Sequence, residues 1–197
     1  MINPYYESTN FQYNMTTYLF LAEGFEEIEA LTPVDLLRRA GIDIMTVAVG
    51  ESRHVTGAHG VTIEADLLLD DEDMSDAEML IAPGGMPGAK NLADSPKVCA
   101  LFKAQAERGA YVAAICAAPA VLLAPLGILD GRKATCYPGF EAPLAANGAT
   151  HVAGERVVRD GNIITSNGPS SAIPFALALI EALRPGSAAG VAAGILY

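Results

Sequence analysis

Cys116 has the clearest chemical context in this 197-residue chain. Before it runs Tyr111-Val-Ala-Ala-Ile115, small and apolar, with the length and composition of a strand buried on both faces. Residues 117–124 are rich in Ala and Leu and read as a helix, with Pro119 in a first turn where a missing N–H costs nothing. A cysteine on such a sharp strand-to-helix turn sits at the end of a sheet and faces helix N-terminal amides, as in a nucleophile elbow. Those free N–H groups favour a thiolate, so a lowered thiol pKa is expected. The pattern alone leaves one alternative open, a cysteine acting as a small buried hydrophobe.

Glu29 is the second candidate. It shares a helical stripe with Phe25, Thr32 and Leu36, at offsets of four and three, while Glu26 and Glu27 fall on other faces. A carboxyl on an inward, partly apolar stripe has a raised pKa and can stay protonated. Pro33 blurs the phase, so spacing also allows a helix-start acid at the surface. Pro33 is expected to kink the helix or restart it with Thr32 as cap; Gly41 closes it.

The elements that would position these residues alternate. Residues 18–22, 42–49, 78–82 and 111–115 read as buried strands, residues 25–41 and 95–108 as helices, and residues 54–63 as a hairpin or two edge strands. Residues 67–75 read as an acidic, solvated connection. The turn Pro83-Gly-Gly-Met-Pro-Gly-Ala89 can aim backbone N–H groups at a neighbouring site, but lacks the spacing of a P-loop or of GxGxxG. A short strand is expected over 133–136 and a hairpin over 157–165, turning at Asp160-Gly161. A helix is expected over 172–183 and a packed C-terminal helix over 187–197. The order predicts an α/β domain, a mostly parallel sheet between two helix layers, with active residues at the strand C-terminal ends. The domain is expected over 16–197, with residues 1–15, polar and rich in Tyr and Asn, as a loose N-terminal extension without the features of a secretory leader.

Composition narrows the function classes. Lys and Arg number 12 against 23 Asp and Glu, a net charge of −11, which argues against nucleic acid and anionic membrane as partners. No apolar run reaches membrane-spanning length. Cys99, Cys116 and Cys136 are odd in number and lack CxxC spacing, which argues against a disulfide framework or a zinc knuckle. A reducing, cytoplasmic setting is expected.

Several motifs together resemble a known family. They are FLAEGFEEIEALTPVDLLRRAG (20–41), APGG (82–85), AAICAAPAVL (113–122), ATCYPGFE (134–141), TSNGP (165–169) and FALALIEAL (175–183). Over about residues 16–197 the chain is similar to the ThiJ/PfpI family, in particular to its DJ-one-like branch. The resemblance implies a flavodoxin-like three-layer α/β/α sandwich that forms a homodimer. It implies Cys116 as nucleophile and Glu29 as its hydrogen-bonded partner, with backbone N–H groups of Gly85 and Ala117 facing the sulfur like an oxyanion hole. Three departures stand out. Tyr137 occupies a position where many members carry a histidine, and His59 one where some carry an arginine that helps build an anion pocket. The loop 166–171 and Pro174 also differ from the family pattern. Tyr137 and His59 are therefore the candidate substrate-binding residues.

Three functional readings follow. In the first, a cofactor-free, metal-free enzyme of glyoxalase or deglycase type adds Cys116 to methylglyoxal, glyoxal or their early adducts, and Glu29 moves the proton. In the second, an oxidative-stress sensor or chaperone works through a Cys116 sulfinic acid. In the third, the site is vestigial in a structural dimer. The three histidines, His54, His59 and His151, all lie outside the elbow motifs, which gives no support to a Cys-His peptidase.

Overall fold

A computed structural model describes residues 15–197; the extension expected over 1–15 lies, apart from Met15, outside the described residues. The chain opens with β1 (Thr17–Leu21), α1 (Glu27–Arg39) and β2 (Ile44–Ala48). A small antiparallel hairpin follows, β3 (His54–Thr56) and β4 (Thr62–Glu64), then β5 (Leu67–Leu68). Next come β6 (Met79–Ala82), α2 (Gly88–Ala93), α3 (Pro96–Glu107) and β7 (Tyr111–Ile115). A π-helical turn, Pro119–Leu123, leads to β8 (Lys133–Ala134), α4 (Glu141–Ala146) and β9 (Thr150–His151). The chain ends with β10 (Val157–Asp160), β11 (Ile163–Ser166), α5 (Ala172–Leu183) and α6 (Ala188–Gly194).

Seven strands form the central sheet in the order β10–β11–β7–β6–β1–β2–β5. Every pairing is parallel except β10 with β11, whose register runs from Val157 opposite Ser166 to Asp160 opposite Ile163. Parallel strands covered on both faces must be apolar throughout, and every residue of β1 and β6 is buried. From β1 the chain steps outward to β2; from β6, on the other side of β1, it steps the opposite way to β7. Right-handed crossovers therefore place α1 and α3 on opposite faces. α1 packs with α5 on one face, and α2 and α3 cover the other. Phe20 of β1 meets Phe102 of α3 with ring centroids 5.3 Å apart.

Several local expectations are corrected. Pro33 does not restart α1, which runs as one helix from Glu27 to Arg39. Burial of Ala30, Pro33, Val34, Leu36 and Leu37 outweighs the one backbone bond the proline cannot give. Residues 67–75 are the expected solvated connection only in part, with residues 70–73 and Ser75 exposed. Leu67 and Leu68 pair with Val47 and Ala48 as the sheet's edge, and Leu69 and Met74 are buried. The helix expected over 117–124 is only the five-residue π turn. The C-terminal helix is short and buries no residue fully, covering the core through partly buried Val191 and Ile195. α2, α4 and β9 had no distinct sequence signal, being short and set among glycines and prolines. Among the described residues, no helix is long and apolar enough to cross a membrane.

Candidate active site

β1 and β6 are neighbours whose outgoing connections diverge, which opens a crevice at the strands' C-terminal ends. Three connections meet there. The one after β1 carries Glu29 on the first turn of α1, the one after β6 is Pro83-Gly84-Gly85, and the one after β7 is Cys116.

Cys116 has φ 65°, a left-handed conformation that costs a non-glycine residue about 1–3 kcal/mol. Its neighbours hold it there. Its N–H donates to the Ser166 carbonyl at 2.9 Å, and its own carbonyl accepts the Tyr137 N–H at 2.8 Å. The side chain is turned into the crevice, and the residue is 8% exposed.

Gly84 lies between the two candidate residues. A Cβ on it would sit 2.5 Å from Cys116 Cβ, 2.5 Å from Glu29 Oε2 and 3.0 Å from Cys116 Sγ, so any side chain would drive the pair apart. Gly85, at φ +88°, leaves no room either: a Cβ there would meet the Glu26 N and the Gly24 O at 2.5 Å. The two glycines thus do different jobs. One gives the close approach and the other gives the left-handed turn.

Glu29 is fully buried. Its Oε2 accepts the Gly84 N–H at 2.9 Å, while Oε1 has no hydrogen-bond partner among the described residues. Burial pushes this carboxyl up to about 7, with the nearby Glu26 charge acting the same way against the Gly84 N–H and the Cys116 contact. A carboxyl that ionises near neutrality and has one free oxygen can donate or accept a proton at that oxygen.

The expected low thiol pKa is corrected. Burial first, then the charge of Glu29, push the Cys116 thiol up to about 12, although backbone N–H groups of Gly85 and Ala117 pull the other way. The π turn is too short for the helix-end field expected from a full helix. The pair therefore releases its first proton near neutrality and its second only in strong alkali. A thiolate at neutral pH requires Glu29 to hold the remaining proton.

The other candidates fall at the margin. Tyr137 is 43% exposed, and its ring packs beside Gly168, where a Cβ would lie 3.1 Å from Tyr137 Cδ2. Its main-chain N–H is what hydrogen-bonds Cys116. His59 sits at the β3–β4 hairpin with Glu27 and Glu26, its Nδ1 3.0 Å from Glu27 Oε2. The Glu27 hydrogen bond and both carboxylate charges raise its pKa. Among the described residues no histidine hydrogen-bonds the thiol. Sequence reasoning missed Gly84 and Glu26. The signal for Gly84 was the doubled glycine directly after a buried strand, where one residue serves the turn and the other the contact.

The arrangement has counterparts. The chain is 39% identical over 161 residues to Protein DJ-1 homolog B of Arabidopsis thaliana, covering 82% of this chain and 36% of that protein. The chain likewise spans 43% of the length of the Arabidopsis DJ-1 homolog A. It is 35% identical over 162 residues to a Caenorhabditis elegans protein named glutathione-independent glyoxalase DJR-1.2, covering 82% and 84% of the two chains. The structure of oxidized Toxoplasma gondii DJ-1 superposes with a TM-score of 0.87 at 39% identity, covering 93% of this chain and 98% of that one. A family model described as DJ-1/PfpI matches residues 15–182, which takes in β1 through almost all of α5 and every residue of the crevice. With its parallel sheet and its elbow cysteine beside a buried glutamate, the chain belongs to the DJ-1/PfpI family.

Proposed function

We propose that the protein is a cofactor-free, cysteine-dependent enzyme acting on small α-oxoaldehydes, methylglyoxal or glyoxal, or on their early adducts. The observation that carries this reading is the unpartnered Oε1 of a fully buried Glu29 beside the elbow thiol. The Cys116 proton passes to Glu29 and the thiolate attacks the aldehyde carbon. A C–S bond forms, the carbonyl π pair moves to oxygen, and that oxygen takes a proton to give a hemithioacetal. In this reading the backbone N–H groups of Gly85 and Ala117, which favour the Cys116 thiolate, stabilise negative charge at the sulfur side. Glu29 as carboxylate then takes the C1 proton and returns it to C2, while the C1 hydroxyl proton passes to the C2 oxygen, leaving a 2-hydroxy thioester. Water cleaves the thioester, releasing lactate, or glycolate from glyoxal, and restoring the thiol. The sum is one dicarbonyl plus one water giving one hydroxy acid. The name of the C. elegans relative supports this chemistry. The test is lactate formation from methylglyoxal without glutathione. Wild type is expected to turn over and Cys116→Ser to fall to background; equal rates in the two overturn the reading.

A second reading is favoured by the same free oxygen and by the oxidized state named for the T. gondii relative. Two equivalents of peroxide would take the Cys116 thiolate through sulfenate to sulfinate, releasing one water at each step. The protonated Glu29 would donate to the resulting anion. Glu29→Leu should then stall at sulfenate or run on to sulfonate, read by intact mass across a peroxide titration. A sulfinate formed as readily as in wild type overturns it. We further propose a homodimer through the outer face of α1, where Ile28 and Leu31 stand exposed. Light scattering at low micromolar concentration should give twice the chain mass, and a monomer mass overturns it.

A further inference from the structure

We propose that Glu26, Glu27 and His59 form a binding site for one first-row divalent cation, with Zn²⁺ as the type ion. One ligand atom from each residue lies within 4.8 Å of the others. His59 Nδ1 is 3.0 Å from Glu27 Oε2 and 3.5 Å from Glu26 Oε1. With metal–ligand bonds of about 2.1 Å, those separations subtend about 90° and about 110° at a common centre, within the octahedral-to-tetrahedral range such ions use. Two carboxylates and a neutral imidazole also cancel a double positive charge, and oxygen–nitrogen sets suit Zn²⁺, Mn²⁺ or Co²⁺ better than softer ions.

The frame is fixed before any ion arrives. Glu27 Oε1 accepts the backbone N–H of His59 at 2.8 Å and that of Val61 at 3.3 Å, which leaves Oε2 turned towards the imidazole. Gly57 presses on the same carboxylate: a Cβ there would lie 2.4 Å from Glu27 Cδ. The hairpin thus orients its own ligand and that of α1 together, as outer hydrogen bonds do in metal sites. The Glu26 carboxylate has no hydrogen bond to hold it among the described residues, so it can rotate to close the third side. The His59 side chain is 69% exposed, which leaves the outer hemisphere open for water ligands. The N-terminal end of α1 opposes a cation by about 0.3–1 kcal/mol, a small term beside two carboxylates at contact.

The site shares no residue with the Cys116–Glu29 pair, although the Glu26 charge reaches Glu29, so the experiment is chosen to keep ion binding and thiol chemistry apart. Titration calorimetry with Zn²⁺, and visible absorption with Co²⁺, are run on the full chain and on Cys116→Ser. One equivalent per chain is expected in both, with Co²⁺ d–d bands and no thiolate charge-transfer band. His59→Asn, at an exposed position, should weaken binding tenfold or more, and Glu26→Gln should do likewise with an unchanged melting temperature. Undiminished binding in both variants overturns the proposal. So does binding that disappears with Cys116, which would place the ion on sulfur, and so does no binding at all to the wild-type chain.

Discussion

Glu27 and Glu29 sit two residues apart on the first turn of α1, and the fold treats them in opposite ways. Both are largely removed from water: the Glu27 side chain is 12% exposed and Glu29 fully buried. Burial raises both. Glu27, however, receives the His59 imidazole and two backbone N–H groups, and it ends below the usual carboxylate range. Glu29 receives one N–H, from Gly84, and ends at about 7. The lesson is that the number of donors, more than depth, decides whether a half-hidden carboxyl is a fixed anion or a movable proton. One turn of helix supplies both because its two faces meet different loops, the β3–β4 hairpin and the glycine turn after β6.

The comparison breaks most sharply at turnover. Glu29→Gln keeps the shape and the acceptor for Gly84 N–H but cannot exchange a proton, so lactate formation should fall by about 10²–10⁴-fold. Alkylation of Cys116 should follow. In wild type its rate should rise through pH about 7, where the pair loses its first proton. In Glu29→Gln that rise should move upward, because the buried thiol has lost the group that takes its proton. Iodoacetamide rates across pH with peptide mapping read this out. A profile unchanged by the substitution would mean that the carboxyl and thiol act independently.

A second test uses stability, where the two acids should have opposite signs. Glu29 moves from 4.5 unfolded to about 7 folded, so its favourable contribution is complete below pH 4.5 and is lost as pH rises through about 7. At pH 8 wild type bears the cost of ionising it, and Glu29→Gln should be the more stable by roughly 3 kcal/mol. Glu27 is lowered instead, so its contribution is present above its unfolded pKa and lost as pH falls through the folded one. Glu27→Gln at pH 8 should lose about 1–2 kcal/mol, since its bonds are partly screened by solvent. Urea unfolding at pH 5 and pH 8 measures both. Shifts of the same sign would show that burial alone governs this turn.

The parallel sheet was legible because each buried strand is a continuous apolar run, and Cys116 because it ends the most regular of them. Glu29 was half legible: its stripe with Phe25 and Leu36 points inward, but Pro33 suggested a break that tertiary packing removes. The thiol pKa was misread for a reason the sequence cannot supply. It depends on a carboxylate brought from a residue far away in the chain and on a helical turn cut to five residues. Leu67 and Leu68 were hidden for a similar reason, since a two-residue edge strand exists only through its partner β2. The pairing of His59 with Glu26 and Glu27 depends likewise on where a hairpin lands.

The smallest expected effect is at Tyr137, and it asks whether a third proton-moving group is needed beside the buried carboxyl. The contribution of Tyr137 to Cys116 runs through its backbone, whose N–H holds the Cys116 carbonyl at 2.8 Å and so helps fix the left-handed elbow. A substitution that spares the backbone and the ring spares that contact and the packing beside Gly168. Only the phenol hydroxyl is lost in Tyr137→Phe, on a side chain already 43% exposed. A hydroxyl there can donate one hydrogen bond to a bound carbonyl oxygen, but a phenol is a poor base at pH 7. One neutral hydrogen bond is worth about 0.5–1.5 kcal/mol, so lactate formation should drop by about tenfold at most, chiefly through KM. The Cys116 alkylation profile should stay where wild type has it. A loss as deep as that of Cys116→Ser, carried in kcat, would instead make Tyr137 the acid of the reaction and leave Glu29 with the thiol alone.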